Sequence, residues 1–297
     1  MTEVRRSRAH VPHPLRPYDP LIINAAITGM VPRRARVPHV PVTAEQIVAD
    51  AVACVDAGAA ILHLHAREPD ESPAWRRSAY AEFIPAIREQ RPEAVICVST
   101  SGRDVPELEK RADVLALEGD AKPDMASLTL GSLNFRTSAS VNAPDTIVAL
   151  AERMAERGIV PELEVFDTGM AYLAAELEDR GVLHGPLYAN LILGSVNTAP
   201  ATARDLAHLV DALPPGTTWA AGGIGPFQLP MNAMAVFMGG HVRTGLEDNP
   251  AMDAERTLPA TNRALVERVT ALAGTAGRPL ATPAAVRERL GLRALVA

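Results

Sequence analysis

Two histidines two residues apart, His63-Leu64-His65, close a short apolar run, AAILHLH. On a strand, side chains at i and i+2 share a face, so both imidazoles can point at one ion. A third ligand is expected from a neighbouring strand end, and GLEDN supplies Glu247 there. Two histidines, one carboxylate and an open position suit catalytic zinc, with non-haem iron as the competing metal. The pair taken alone is as well explained by one packed core histidine, with Glu247 capping a helix. Other polar residues gather in comparable places: Ser99, Thr100, Ser101 and Gly102 in one run, Ser127 and Thr129 in another. Glu162 and Glu164 alternate on one face, and Arg243 stands five residues before Asp248, a spacing that also suits a structural ion pair. Carboxylates and an arginine inside apolar runs must be paired or near solvent. Gly222-Gly223-Ile224-Gly225 places bare amides, Gly223 and Gly225 among them, where a helix start would cradle a phosphate. A tight strand-to-helix turn explains these glycines almost as well.

Apolar runs of strand length carry these groups, and amphipathic stretches separate them. The runs are LIINAA (21–26), AAILHLH (59–65), AVICVST (94–100), MASLT (125–129), PELEVF (161–166), LYANLIL (187–193), TTWAAG (217–222) and HVRTG (241–245). Helices are expected at 42–58, where Thr43 and Gln46 form a capping box, and near 78–89, 105–113, 143–157, 168–181, 202–212, 227–238 and 252–273. Eight strand–helix repeats predict a closed (β/α)8 TIM barrel, an α/β fold, over residues 21–297; an open doubly wound sheet more often stops at five to seven strands. In such a barrel the active site lies at the C-terminal strand ends, where every polar group above falls. The segment TPAAVRERLGL adds a C-terminal helix suited to closing the barrel or an interface. Residues 1–20, rich in proline and arginine, are expected to form a surface arm; Pro12, Pro14, Pro17 and Pro20 would break the amphipathic helix of a transit peptide.

The chain has 297 residues, of which 47% are hydrophobic, enough for a large single core. A net charge of −6 argues against nucleic acid as a partner. No apolar run approaches the roughly 20 residues that span a membrane. The cysteines, Cys54 and Cys97, sit in apolar segments and read as buried thiols, which suits the cytoplasm.

Together, LIINAAITG, PVTAEQI, ILHLHARE, VSTSG, MASLTLGSLNF, PELEVFDTGM, GGIG and GGHVRTGLEDN resemble the β-keto acid cleavage enzymes along nearly the whole chain after the arm. The resemblance implies that His63, His65 and Glu247 bind Zn2+, and that Ser99, Gly102 and Ser127 hold the substrate carboxylate. It implies a pocket lined by Glu164, beside Thr129, and an Arg243–Asp248 dyad that removes a substrate proton. The implied reaction joins a β-keto acid with acetyl-CoA as co-substrate and yields acetoacetate and a new acyl-CoA, through a zinc-stabilised enolate and retro-Claisen cleavage. A homo-oligomer, possible as a tetramer, is the expected assembly. Three departures stand out. Val31 occupies the position where the aminohexanoate-cleaving members carry a glutamate for an ammonium group, Pro226 replaces a common arginine, and Asn197-Thr198 replaces a Gly-Gly pair. Val31 implies a substrate without an amino group and with a neutral, largely apolar tail; Arg33, Arg34 and Arg36 in the same loop leave an anionic tail open. Two other readings compete: a metal-dependent amidohydrolase, which would need further histidines on strands five and six, and a non-catalytic binding protein on a barrel scaffold.

Overall fold

In the computed structural model, which describes residues 18–136 and 138–293, the apolar runs pair in parallel and close on themselves. The strands are β1 (Ile23–Ala26), β2 (Ile61–Leu64), β3 (Val95–Val98), β4 (Met125–Thr129), β5 (Val160–Val165), β6 (Tyr188–Leu193), β7 (Thr218–Gly223) and β8 (His241–Thr244). Each pairs with its sequence neighbours, and β8 returns to β1. Around them run α1 (Ala44–Asp56), α2 (Ile84–Gln90), α3 (Leu108–Ala112), α4 (Pro144–Glu156), α5 (Thr168–Asp179), α6 (Ala203–Ala212), α7 (Gln228–Met238) and α8 (Asn262–Thr275), followed by α9 (Pro283–Arg289). The expected arm lies outside the described residues except for its last three, of which Tyr18 donates its hydroxyl to the Phe237 carbonyl.

Local chemistry sets the helix ends. Thr43 and Gln46 form the capping box of α1, and Asp167, Thr202, Thr261 and Thr282 cap α5, α6, α8 and α9. The stretch expected near 252–273 starts ten residues late, at Asn262. Asp253 accepts from the Thr257 and Leu258 amides, and Pro259 cannot donate, so residues 251–260 fold as a braced loop. The stretch near 78–89 splits into a turn of helix at Arg77–Ala81 and α2, whose second residue is Pro85.

The C-terminal helix closes the barrel floor, where Val286 and Leu290 of α9 pack on Ile22, Ile61, Val95, Met125 and Tyr188. Arg287 of α9 and Arg88 of α2 both bind the buried Asp124 at 2.8–2.9 Å. No described helix is long and apolar enough to cross a membrane, and Cys54 and Cys97 are buried and free.

One buried carboxyl predicts a pH dependence. Burial pushes Asp50 up to about 6, against the opposing effects of the Asn262 amide, 2.5 Å away, and His39. Because its folded value exceeds the unfolded one, its contribution is fully present below about pH 4 and is lost as pH rises through about 6. Asp50→Asn keeps an acceptor for Asn262 and should stabilise the protein at pH 8 by on the order of 2 kcal/mol, with no gain at pH 4. Equal calorimetric gains at both pH values would show that charge burial is not the cause.

Candidate active site

The C-terminal strand ends surround a cavity of about 300 Å³. On its wall stand Val31, His65, Ser99, Thr129, Glu164, Arg243, Glu247 and Asp248. His63 lies fully buried beside it, on β2 between Ala26 of β1 and Cys97 of β3. His65 stands one residue beyond the strand, two residues on and on the same face. Their Nε2 atoms are 3.2 Å apart, and Glu247 Oε2 lies 3.6 Å from the first and 3.4 Å from the second. That oxygen is buried and has no hydrogen-bond partner. Three converging donors around an orphaned carboxylate oxygen are what a divalent cation requires.

Glu247 and Asp248 owe their positions to a turn only glycine can make. Gly245 has φ +147°, and a Cβ there would sit 2.0 Å from the Ala26 carbonyl oxygen. Gly29 leaves room for the Glu247 side chain, since a Cβ at that position would lie 2.7 Å from its Cγ. Asn262, on the first turn of α8, accepts from the Leu246 amide at 2.7 Å and donates to the Ile27 carbonyl at 3.0 Å. Gln228 donates to the Gly245 carbonyl, and the Gly225 amide donates to the carbonyl of Asp248. The loop is thereby tied to β1, α7 and α8.

Behind the cluster runs a charge network centred on the fully buried Arg243. Its Nε donates to Asp248 Oδ2 at 2.9 Å and Nη2 donates to Glu247 Oε1 at 3.0 Å, while Nη1 lies 3.5 Å from Glu164 and 3.9 Å from Glu162. Burial disfavours the guanidinium, but the four carboxylates prevail and hold it firmly protonated. Burial, with Glu247 adding, keeps the Asp248 carboxyl above its ordinary value despite Arg243. The pairing that would weaken Asp248 as a base is therefore more than offset by its surroundings. Glu164 is raised too, chiefly by burial, and accepts from Thr129 at 2.7 Å.

Glu162 has a role that its alternation with Glu164 did not disclose. Its Oε2 lies 2.6 Å from His63 Nδ1, and Asn24 of β1 donates to its other oxygen at 2.5 Å. Burial opposes its charge, but His63, Arg243 and Asn24 win and lower it to about 2. The His63 imidazolium is disfavoured by burial, yet Glu162 and Glu247 raise its pKa to about 9, whereas burial lowers that of His65. With Nδ1 occupied, Nε2 is the nitrogen free for an ion. An asparagine in the first run and a carboxylate in the fifth were the only sequence signals of this arrangement.

Four expected site residues besides His63, namely Ser127, Gly102, Gly223 and Gly225, stand elsewhere than on the wall. Ser127 accepts from the Thr100 amide at 3.1 Å and so braces the end of β3. Gly102 packs against Arg111, whose Nη1 would lie 2.6 Å from a Cβ there. Arg111 is buried with no carboxylate in ion-pair contact among the described residues, and donates to the Thr100 carbonyl and to Asn142. The amides expected to cradle a phosphate after β7 are already occupied: Ile224 donates to the Leu193 carbonyl and Gly225 to that of Asp248. Packing explains the glycines, because a Cβ on Gly223 would fall 2.3 Å from the Phe227 carbonyl oxygen. The ends of β5 and β6 carry Glu164 and Asn190, with no histidine for an amidohydrolase metal pair.

The chain is also similar to known proteins over most of its length. The chain is 40% identical over 277 residues to the 3-oxoadipate:acetyl-CoA acetyltransferase of Cupriavidus necator, covering 92% of this chain and 95% of that one. It is 39% identical over 276 residues to the 3-keto-5-aminohexanoate cleavage enzyme of Acetoanaerobium sticklandii, covering 92% and 99%. Among solved structures, the binary complex of ObcA with oxaloacetate superposes with a TM-score of 0.75 at 22% identity, over 86% of this chain and 68% of that one, a likeness of fold. The profile of the beta-keto acid cleavage enzymes matches residues 20–292, and the chain belongs to that family.

Proposed function

We propose that the protein is a zinc-dependent acyltransferase that converts a β-keto acid and acetyl-CoA into acetoacetate and a new acyl-CoA. The convergence of the His63–His65–Glu247 cluster and the Arg243–Asp248 pair on one cavity carries this reading. The three ligand atoms lie 3.2, 3.4 and 3.6 Å from one another, close enough for one cation, and two histidines with one carboxylate are a donor set that would suit catalytic zinc. Zinc held there would polarise the keto oxygen and acidify the adjacent CH2.

Asp248, on the wall and held by Arg243, takes a proton from that CH2. The carbanion attacks the thioester carbonyl of acetyl-CoA and expels the CoA thiolate. The thiolate adds to the original keto carbon, the carbon–carbon bond breaks, and acetoacetate leaves as an enolate that regains its proton from Asp248. Ser99 lies where it can donate to the substrate carboxylate; Ser127 and Gly102 shape the loop that carries it. Substrate labelled at the carboxylate carbon, with unlabelled acetyl-CoA, should give acetoacetate labelled at its carboxylate by NMR. Label anywhere else would mean that Asp248 does not have this role.

The substrate carries no ammonium on its tail. Val31 lines the cavity, and the wall carboxylates, Glu164, Glu247 and Asp248, are engaged by Arg243 and the metal cluster. An unpaired buried ammonium would cost several kcal/mol.

Glu162 should tune the metal. A carboxylate that orients a ligating histidine is commonly worth about 10- to 100-fold in metal affinity, so Glu162→Gln should raise the zinc Kd by that factor in a chelator competition. An unchanged Kd would mean that the 2.6 Å contact to His63 serves the fold alone. A cytoplasmic homo-oligomer completes the proposal, resting on the buried thiols and the family expectation.

A further inference from the structure

We infer that Arg103 recognises an anionic group at the end of the substrate tail, so that the preferred substrates are β-keto dicarboxylic acids; this rests on the reaction proposed above. Among the arginines of the wall, Arg243 is fully committed to carboxylates. Arg103 is not. It is half-buried, and no carboxylate among the described residues lies within ion-pair distance of it. Burial lowers its pKa, and Asp104 and Glu247 offset this only through space. A desolvated cation facing a cavity is a cost that an arriving anion would remove.

The guanidinium is also held ready. It lies 3.9 Å from the centre of the Phe135 ring, which meets the Phe166 ring edge-on at 6.1 Å. Its Nε donates to Ser138 Oγ at 3.1 Å, while Nη1 and Nη2 have no protein partner among the described residues. The free fork suits a carboxylate taken through two parallel hydrogen bonds. Arg136, exposed on the loop that carries Phe135 and Ser138 and also on the wall, adds positive field. Apolar side chains, Val31, Leu133, Phe135, Phe166 and Ile192, provide the surface for the methylenes between the keto group and the tail.

The loop arginines first open to this role are turned away. Arg33 donates to the carbonyls of Met30, Val31 and Pro32, Arg34 binds Gln46, and neither they nor Arg36 line the cavity. The phosphates of CoA offer the same chemistry as a tail carboxylate. They stand a full pantetheine arm from the sulfur, however, whereas Arg103 is half-buried in the wall of the cavity that holds the reacting groups.

The test compares 3-oxoadipate with 3-oxohexanoate, acids of equal length that end in a carboxylate and a methyl group. The protein should favour the diacid in kcat/KM by about 10²-fold, the scale of a charge-assisted bidentate contact. Arg103→Met should bring the ratio close to one, mainly through the KM of the diacid, and Arg103→Lys should retain part of the preference. Turnover of 3-oxohexanoate by each variant reports a folded site. The inference fails if the parent favours 3-oxohexanoate or if Arg103→Met leaves the ratio intact. It fails equally if Arg103→Met raises the KM of acetyl-CoA instead, which would assign the arginine to CoA phosphate. Acetoacetate from neither acid would reject the underlying reaction, and this inference with it.

Discussion

Alanine in place of His63 or His65 is expected to abolish metal binding and activity together. The native protein should carry about one zinc per chain, and each variant almost none after gel filtration. Both nitrogens and Glu247 Oε2 converge within 3.2–3.6 Å, so losing either imidazole leaves two donors for an ion that needs at least three from the protein. Without the cation, Glu247 faces a vacated corner and the keto oxygen has no electrophile, so kcat/KM should fall by on the order of 10³-fold or more. Elemental analysis and acetoacetate formation on the same samples check both halves. Full activity in a metal-free preparation would remove the assignment. Glu162→Gln belongs in the same series, because it should weaken metal affinity while leaving all three ligands in place.

Asp248→Asn is expected to stop proton abstraction while sparing the metal. Asparagine keeps a similar shape and can still accept from Arg243 Nε, so the loop tied by Gly245, Gln228 and Asn262 should hold. The lost base should lower kcat by about 10³- to 10⁴-fold with zinc content unchanged. Exchange of the substrate CH2 hydrogens with deuterium oxide isolates the step, since it needs neither acetyl-CoA nor the later bond cleavage. The parent should exchange them in the absence of acetyl-CoA, and the variant should not. Parental exchange in Asp248→Asn would place the base elsewhere, with Glu164 the next carboxylate on the wall.

The residues proposed to bind an ion and to transfer a proton were legible because their geometry is local. His63 and His65 share a strand, and Glu247 and Asp248 share one short loop with Arg243 just before it. Given a closed barrel, chain order fixes that β8 returns beside β1, two strands from the histidines. The partners of these groups were not legible. Glu162 meets His63 across 99 residues and Asn24 across 138, pairings that exist only once the barrel shuts. The Gly-Gly-Ile-Gly run at the end of β7 offered free amides on paper, but carbonyls of the neighbouring strand and loop accept from Ile224 and Gly225.

The sequence by itself determined the eight-fold repeat and which residues meet as the candidate ligand cluster, with the acidic residue beside it. Each follows from short-range rules: strand alternation, helix capping, and the placing of strand ends at one mouth. Only the tertiary structure decided which charges are spent and which remain available. Arg33, Arg34 and Arg36 looked free in the chain, yet Arg33 turns onto its own loop and Arg34 onto Gln46, and none of the three reaches the cavity. Arg103 had no mark in the sequence, and it is a half-buried cation on the wall that the described carboxylates leave unpaired. The physical reason is that a charge's partner is set by distance and burial in three dimensions. Chain spacing constrains neither once loops from several strands meet over one cavity.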